Sequence, residues 1–357
     1  MKSFLASLVA ALVAASAAAQ TYVYEQPAAV GGGVRRASQL WIDPSGQNDS
    51  DNDAIAWEDF QLAQDTLITH VRWAGDAAPP LGFELSFFRQ DPNTIAVQPD
   101  IFAPGSEPLG SEVVTNFATS LLSPGLYRFE APLAVPVLVR ANTRYFISVV
   151  GRMPLAYVSW GWAQSSSGPN GTFWWQRGAH MYFHVGDSRA LSIGTDLEPS
   201  VGAVFCTGDG ASGGCPCGNT SVPNAGCANS RGEGATLLAS GSASVAADDL
   251  LLVSAGLPKS QSCLVFLSAS LSSGAPFGDG RRCVAGGVSR LGVRNSGPAG
   301  VAIYGPGLAA YSQAHFPASN RFVPGAVLGF QCWYRDPNGP CGKATNLSSA
   351  RAVTFTP

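Results

Sequence analysis

The stretch LITHVRW, residues 67–73, is the part of the sequence that most directly indicates the fold. Leu67, Val71 and Trp73 occupy alternate positions, and a period of two places successive side chains on opposite faces of an extended strand. Similar segments, rich in Val, Ile, Phe, Tyr and Trp, recur between turns that contain Gly, Pro and Asn. They cover residues 83–88, 127–131, 145–150, 157–162 and 181–185. Roughly ten short strands with no sustained helical period predict an all-β, jelly-roll-like sandwich.

The composition excludes several other classes of protein. Of the 357 residues, 46% are hydrophobic and 13% are charged, with 41 Gly and 25 Pro. So few charges argue against an intrinsically disordered chain or a long coiled coil. The formal net charge of −3 leaves no basic surface for a polyanion, so we expect no nucleic-acid partner.

The chain divides near residue 200 into halves of different chemistry. Residues 20–200 carry 10 Arg, no Lys and 18 acidic residues, a balance of −8, whereas residues 201–357 carry 8 Arg, 2 Lys and 6 acidic residues, a balance of +4. Seven of the eight Trp are in the first half, and all eight Cys are in the second. This division predicts two β-sandwich domains in tandem, at 20–186 and 205–357, joined by a Gly-, Ser- and Pro-rich linker at 187–204. Strands of the second domain are expected at residues 235–239, 250–254, 264–268, 284–291, 301–304, 327–334 and 351–356.

The N-terminus predicts export. Residues 1–19 contain Lys2, an apolar run at 4–15 and three small residues at 17–19, which is the pattern of a secretory signal peptide cleaved before Gln20. The apolar run is too short for a membrane span, and no later segment is long and apolar enough. We therefore expect a mature protein without a membrane span, secreted to the outside of the cell or the cell surface, with the periplasm as a further possible location.

The eight cysteines predict disulfides. An even number of Cys in an exported domain favours disulfide bonds over zinc, because zinc thiolates are uncommon in oxidising compartments. Their spacing also lacks paired Cys-x-x-Cys motifs. The set is Cys206, Cys215, Cys217, Cys227, Cys263, Cys283, Cys332 and Cys341.

Their pairing is only partly constrained by the sequence. Cys215 and Cys217 are separated by one residue, which makes a direct bond strained, so we expect them to pair with Cys206 and Cys227 in some order.

The other four cysteines leave alternatives open. Cys332 and Cys341 flank a turn at residues 336–339 and could close a hairpin, or each could reach Cys263 or Cys283.

Several motifs in the second half resemble a module found repeatedly in large secreted proteins of planctomycete-type bacteria. They are FCTGDG (205–210), CPCGN (215–219), GCANS (226–230), GDG (278–280), WYRDP (333–337) and NLSSA (346–350). Residues 58–75, EDFQLAQDTLITHVRWAG, more loosely resemble exported bacterial β-sandwich segments. The resemblance implies a β fold and export, and it implies no known reaction.

Calcium is the one cofactor that the sequence suggests. Asn48, Asp49, Asp51 and Asp53 offer side-chain oxygens at closely spaced positions, and Ca²⁺ takes six to eight oxygen ligands. The pattern lacks the glutamate of an EF-hand at its twelfth position, where Phe60 stands. A solvated loop is the alternative interpretation.

A cluster of aromatic residues is the candidate binding site. Trp160, Trp162, Trp174 and Trp175 lie within sixteen residues, with Tyr157 nearby. Flat indole faces stack on the C–H faces of sugar rings, so an exposed row could bind a polysaccharide or another cell-surface polymer. Core packing is the alternative, since aromatic residues are also favoured in strands and cores. One of Trp174 and Trp175 must face away from the core, which makes this pair the better candidate.

No catalytic arrangement is evident in the sequence. Glu58, Asp59, Glu84 and Glu130 could supply the two carboxylates of a polysaccharide hydrolase or lyase, but no spacing distinguishes a pair. We therefore expect an exported, non-catalytic protein that binds a glycan or surface polymer. An extracellular hydrolase or lyase and a purely structural envelope component are the two alternatives.

Overall fold

The computed structural model describes residues 21–46, 50–104, 106–197 and 201–357. The predicted signal peptide lies outside these ranges. The strands of the first half are β1 (Thr21–Gln26), β2 (Arg36–Ala37), β3 (Gln39–Trp41), β4 (Ala54–Gln61), β5 (Thr66–Gly75), β6 (Phe83–Arg89), β7 (Gly110–Val114), β8 (Ala118–Ser123), β9 (Leu126–Val139), β10 (Arg144–Met153), β11 (Gly161–Trp162), β12 (Thr172–Gln176), β13 (Met181–Val185) and β14 (Leu191–Thr195).

The second half contains the remaining strands and an α-helix. They are β15 (Ala203–Cys206), β16 (Thr236–Ser240), β17 (Leu251–Ala255), β18 (Ser262–Ser268), β19 (Leu271–Phe277), β20 (Gly280–Val284), β21 (Ser289–Arg290), β22 (Arg294–Asn295), β23 (Ala302–Tyr304), α1 (Leu308–His315), β24 (Val327–Arg335) and β25 (Thr345–Thr354). Short 3-10 helices occur at Val30–Gly32 and Ala318–Asn320.

Two seven-stranded sheets form the first half. Sheet 1 has the order β1-β14-β5-β11-β2, with β9 on β5 and β8 on β9, and sheet 2 has the order β13-β12-β4-β3-β10-β6-β7. Large buried rings from both sheets fill the core; Trp73 and Phe83 meet edge to face with their centroids 4.9 Å apart. The all-β, sandwich-like prediction is confirmed for this half.

The second half packs a six-stranded sheet against a smaller one. Sheet 3 has the order β15-β25-β24-β18-β21 with β22 on β18, and sheet 4 has the order β16-β17-β23. Their shared core includes Leu252, Val265 and Phe330, all completely buried. Strands β19 and β20 form a separate hairpin. Among the described residues, each half pairs its strands only with its own strands.

The structure corrects several predicted boundaries. Parts of the linker expected at 187–204 lie in strands, because β14 pairs with β1 and β5 in sheet 1 and β15 pairs with β25 in sheet 3. The expected strand at 157–162 is reduced to β11, and Tyr157 lies in a turn with a positive φ of 61°. The expected strand at 284–291 is divided between β20 and β21.

The helix α1 is an element that local sequence did not predict. Its N-terminus is capped by Asp248, whose carboxylate accepts hydrogen bonds from the backbone N–H groups of Ala309 (2.6 Å) and Ala310 (3.0 Å). Because the capping residue is about sixty positions upstream, no start signal precedes the helix in the sequence. Within the described ranges, no helix combines the length and apolarity needed to cross a membrane.

The two halves meet through two arginines of the first half, Arg89 and Arg140, and through a small apolar cluster in which Leu67 packs against residues 238, 253 and 255. Arg140 is 3.2 Å from Asp65 of its own half, donates to the carbonyl of Gly234 (2.7 Å) and lies 3.4 Å from Glu233. Burial raises the pKa of Glu233, but the guanidinium groups of Arg89 and Arg140 outweigh it and hold the pKa below its usual range.

Three disulfide bonds stabilise the second half, and their pairing corrects the prediction for Cys206 and Cys217. Cys215 bonds to Cys227, one of the expected partners, across 12 residues. The other two bonds span 77 and 124 residues. They are Cys206–Cys283 and Cys217–Cys341.

The remaining two cysteines are buried thiols rather than disulfide partners. Cys263 in β18 lies opposite Tyr334, and Cys332 in β24 lies opposite Val265, so the two are diagonal neighbours in the sheet. Burial raises the pKa of the Cys332 thiol well above its ordinary value. The expectation that all eight cysteines form disulfides is therefore wrong for this pair.

Candidate functional site

An open aromatic surface covers the outward side of sheet 2. It consists of Trp57 from β4, Phe173 and Trp175 from β12, Tyr182 from β13 and Phe102 from the loop that follows β6. We call these five residues the outer aromatic face. Alternation along β4 explains the arrangement, because Ala56 and Phe60 point into the sandwich core while Trp57 points away from it.

The rings of the outer aromatic face contact one another continuously. Phe173 and Tyr182 are stacked at an interplanar angle of 21° with centroids 5.6 Å apart, and Tyr182 lies 6.4 Å from Trp175. Phe102 packs its edge against Tyr182 at 4.9 Å. Stacked and edge-to-face contacts of this kind are favourable, so each ring is held partly by its neighbours.

Part of this surface is accessible to solvent. Phe102 is 47% exposed and Tyr182 is 44% exposed, Trp175 is half-buried, and Trp57 and Phe173 form the buried base. The guanidinium of Arg177 lies 5.7 Å from the Trp175 ring. The result is a set of flat apolar rings with a cation at its edge, which suits a ligand that combines C–H faces with polar groups.

A polar group borders the outer aromatic face. Asp59, also on the outward side of β4, accepts a 2.6 Å hydrogen bond from the Asn170 side chain and lies 3.1 Å from the Arg144 guanidinium. Burial raises the pKa of Asp59, although these two partners and the nearby His184 oppose the shift. Phe173 is the cross-strand neighbour of His184, so aromatic and polar side chains meet on the same surface.

The predicted binding residues have different locations. Trp160 and Trp162 are completely buried in the core between sheets 1 and 2, and so lie outside any open surface. Trp174 packs against the same core, and its indole N–H donates to the carbonyl of Ala37 at 2.8 Å. Tyr157 is 76% exposed in its turn. Of the five candidates, Trp175 is the one that belongs to the outer aromatic face.

Two of the predicted calcium residues, Asp51 and Asp53, lie within the described part of the chain, and Asn48 lies outside it. Asp49 lies outside the described residues. Asp53 is buried; its carboxylate accepts a hydrogen bond from the backbone N–H of Trp41 (2.9 Å) and lies 3.4 Å from Arg177. Asp51 is exposed, and its backbone carbonyl accepts from Gly178. In the described part of the chain, no three acidic, His or Cys side chains group together as metal ligands do.

The four carboxylates considered for hydrolysis point in different directions. Glu130 on sheet 1 pairs with Arg72, and Glu84 on sheet 2 pairs with Arg152. Glu58 and Asp59, adjacent in β4, project to opposite sides of sheet 2. The arrangement differs from that of glycosidases, whose paired carboxyl groups face each other across a cleft.

Glu58 is an unusual buried carboxyl. One oxygen accepts from the Gln26 side chain (3.2 Å), and the other accepts from the Thr172 hydroxyl (2.9 Å) and the Arg189 backbone N–H (2.8 Å). Burial raises the pKa of Glu58 to about 8, against the opposing effect of these hydrogen bonds. Because it is completely shielded from solvent, Glu58 affects stability rather than contacting a ligand.

Comparisons with known proteins assign neither a family nor a function to the chain. No family model matches the chain, and no curated protein matches its sequence. The resemblance of the second half to a planctomycete-type secreted module therefore stays a prediction.

Four members of the outer aromatic face were not among the predicted binding residues: Trp57, Phe102, Phe173 and Tyr182. Trp57 lies one hundred residues before the first residue of the predicted cluster, Tyr157, and β4 pairs directly with β12 to bring it beside Phe173. Phe102 comes from a loop with no strand pattern. The alternation of β4 could have identified Trp57, because Ala56 and Phe60 point into the core and Trp57 therefore points outward. No local pattern of this kind marks Phe102.

Proposed function

We propose that this protein is exported and non-catalytic, and that it binds a glycan or another surface polymer through the outer aromatic face. The observation that carries the proposal is the accessible group of mutually contacting rings formed by Trp175, Tyr182 and Phe102. The signal-peptide pattern and the disulfide bonds support export.

The polar edge of the face supports a carbohydrate ligand. A sugar ring presents apolar C–H faces together with hydroxyl groups that require hydrogen-bond partners. The rings of Trp175 and Tyr182 suit the C–H faces of the sugar. The Asn170 and Arg144 side chains beside Asp59 suit its hydroxyl groups.

Retention on polysaccharides tests the proposal. The mature protein is incubated with a panel of insoluble polysaccharides, and the unbound fraction is measured over a concentration series. Trp175→Ala and Tyr182→Ala should each weaken retention about three- to tenfold, since an aromatic contact contributes roughly 0.5–1.5 kcal/mol beyond area burial. Tyr311→Ala is the matched control, because this tyrosine is 39% exposed and stacks on His315 in the other half.

Two outcomes would favour the alternatives. Absence of retention on every polymer would remove the binding proposal and leave a structural envelope role. Release of reducing ends or unsaturated products from any polysaccharide would instead support a hydrolase or lyase.

The tandem arrangement of two domains is part of the same proposal. It is supported by strand pairing within residues 21–195 and within residues 203–354, with a short connection between them. Limited proteolysis should cleave within residues 196–202 and release two folded fragments.

A further inference from the structure

A second, chemically different groove lies on the outward side of sheet 3. Leu264 and Phe266 from β18 and Trp333 from β24 form its floor, with Leu264 directly opposite Trp333 in the strand register. Phe277 and Arg282 project from the β19–β20 hairpin, and Arg290 stands opposite Phe266. We call these six residues the arginine groove; its volume is about 360 Å³.

The two arginines have no carboxylate partner in the described part of the chain. The Arg290 side chain is exposed and makes no hydrogen bond or ion pair with the described residues. The Nε atom of Arg282 donates to the Val284 carbonyl at 2.9 Å, which leaves its two terminal nitrogens for other partners. The first half differs, since arginines such as Arg72 and Arg144 are paired with its acidic residues.

The remainder of the groove is apolar. Among the described residues, Val288 and Leu347 also line the cavity beside the six groove residues, which gives six aliphatic or aromatic side chains and two arginines, with no hydroxyl, amide or carboxylate side chain. A neutral sugar would find only the two arginines as hydrogen-bond partners on such a surface, and no acceptor side chain for its hydroxyl protons. An apolar body bearing one acidic group satisfies both parts of the groove, because guanidinium groups bind carboxylate and sulfonate oxygens in a forked geometry.

We infer that the arginine groove is a binding site for a small apolar anion, such as an alkyl or aryl carboxylate or sulfonate. The apolar body lies against Trp333, Phe266 and Phe277, and the acidic group lies between Arg282 and Arg290. The volume is at the lower end of the range for small-molecule sites, which fits a ligand of one or two rings or a short alkyl chain. This site is independent of the outer aromatic face.

A pair of fluorescent probes tests the inference. Anilinonaphthalene sulfonate carries an apolar body and an anion, and phenylnaphthylamine carries the same body without the anion. We expect saturable binding of the sulfonate to the full-length mature protein and much weaker binding of the neutral probe. In the variant Arg282→Gln/Arg290→Gln, the Kd for the sulfonate should rise about tenfold or more, since two charge-assisted contacts are lost.

Matched variants separate a local effect from a change in overall charge. Lys259→Gln/Lys343→Gln removes the same charge from the second half at exposed positions outside the groove, and it should leave the Kd unchanged. Trp333→Ala should weaken binding of both probes, because it removes the floor of the groove. Thermal unfolding of each variant verifies that it is folded.

Three results would overturn the inference. The first is equal affinity of the sulfonate for the wild type and the arginine double variant. The second is an equal effect of the lysine and arginine double variants. The third is displacement of the probe by polyglutamate at lower concentrations than by decanoate, which would assign the groove to an acidic polypeptide instead.

Discussion

Replacement of Glu58 by glutamine should remove one contribution to the pH dependence of the unfolding free energy of the first half. The carboxyl is completely buried, and burial raises its pKa in the folded protein to about 8, whereas an unfolded glutamate titrates near 4.5. Below pH 4.5 the carboxyl is neutral in both states. Between pH 4.5 and 8 the unfolded chain releases the proton and the folded chain retains it, so the free energy of unfolding falls as the pH rises.

The size of the effect follows from these two pKa values. Between pH 5 and pH 8 the loss of unfolding free energy from this one group is roughly 3.5 kcal/mol, since a difference of one pKa unit corresponds to about 1.4 kcal/mol. Glutamine has nearly the same shape and does not titrate. The stability of Glu58→Gln relative to the wild type should therefore increase by about that amount over this interval.

Chemical denaturation with the disulfides intact measures the effect. Tryptophan fluorescence reports mainly on the first half, which holds seven of the eight Trp. Glu84→Gln is the control, because its half-exposed carboxylate lies 3.4 Å from Arg152 on the surface. The reasoning would be refuted if the unfolding free energies of Glu58→Gln and the wild type changed in parallel with pH. It would also be refuted if the difference between the variant and the wild type moved in favour of the wild type from pH 5 to pH 8.

Three further predictions concern the second half, the junction and the core. Mass spectrometry of the native protein should find three disulfides, and alkylation of Cys263 and Cys332 should require denaturant because both thiols are buried. Arg140→Ala should lower the unfolding free energy by about 3–5 kcal/mol, since it leaves the largely buried Asp65 carboxylate without its cation and the Gly234 carbonyl without its donor. Trp160→Ala should cost about 3–5 kcal/mol through cavity formation, whereas Trp175→Ala should cost clearly less because its ring is only partly buried.

Each of these predictions has a control and a contradicting result. A fourth disulfide in the native protein would contradict the assignment of Cys263 and Cys332 as thiols. Arg152→Ala, at a surface ion pair, should change stability by less than about 1 kcal/mol, and an equal loss from both arginine variants would contradict the account of the junction. Equal losses of unfolding free energy in Trp160→Ala and Trp175→Ala would indicate that Trp175 is a core residue.

The β architecture was predictable because alternation is a local signal. Val71 and Trp73 alternate into the first-half core from β5 in the centre of sheet 1. The register, however, shifts between Ile68 and His70, and Leu67 packs in a different cluster with residues of the second half. The sequence also divides near residue 200, where strand pairing changes from sheet 1 to sheet 3. The tight turn around Tyr157 was not predictable, because its aromatic residues resemble those of a strand, and the chain there adopts a positive φ.

Disulfide pairing and the binding surfaces depend on contacts between distant segments. Cys217 and Cys341 are 124 residues apart, and proximity in sequence favoured other partners. For the aromatic cluster, sequence reasoning anticipated that one of Trp174 and Trp175 faces outward. It could not identify Phe102, since a loop residue reaches the face only through tertiary packing.

Hydroxyl-radical footprinting with the polymer that best retains the protein is the most direct test of the outer aromatic face. The oxidation rates of Tyr182, Trp175 and Phe102 should fall when the polymer is bound, and that of Tyr311 should stay constant. Unchanged oxidation of the three face residues in the bound protein would contradict the proposal that this surface binds the polymer.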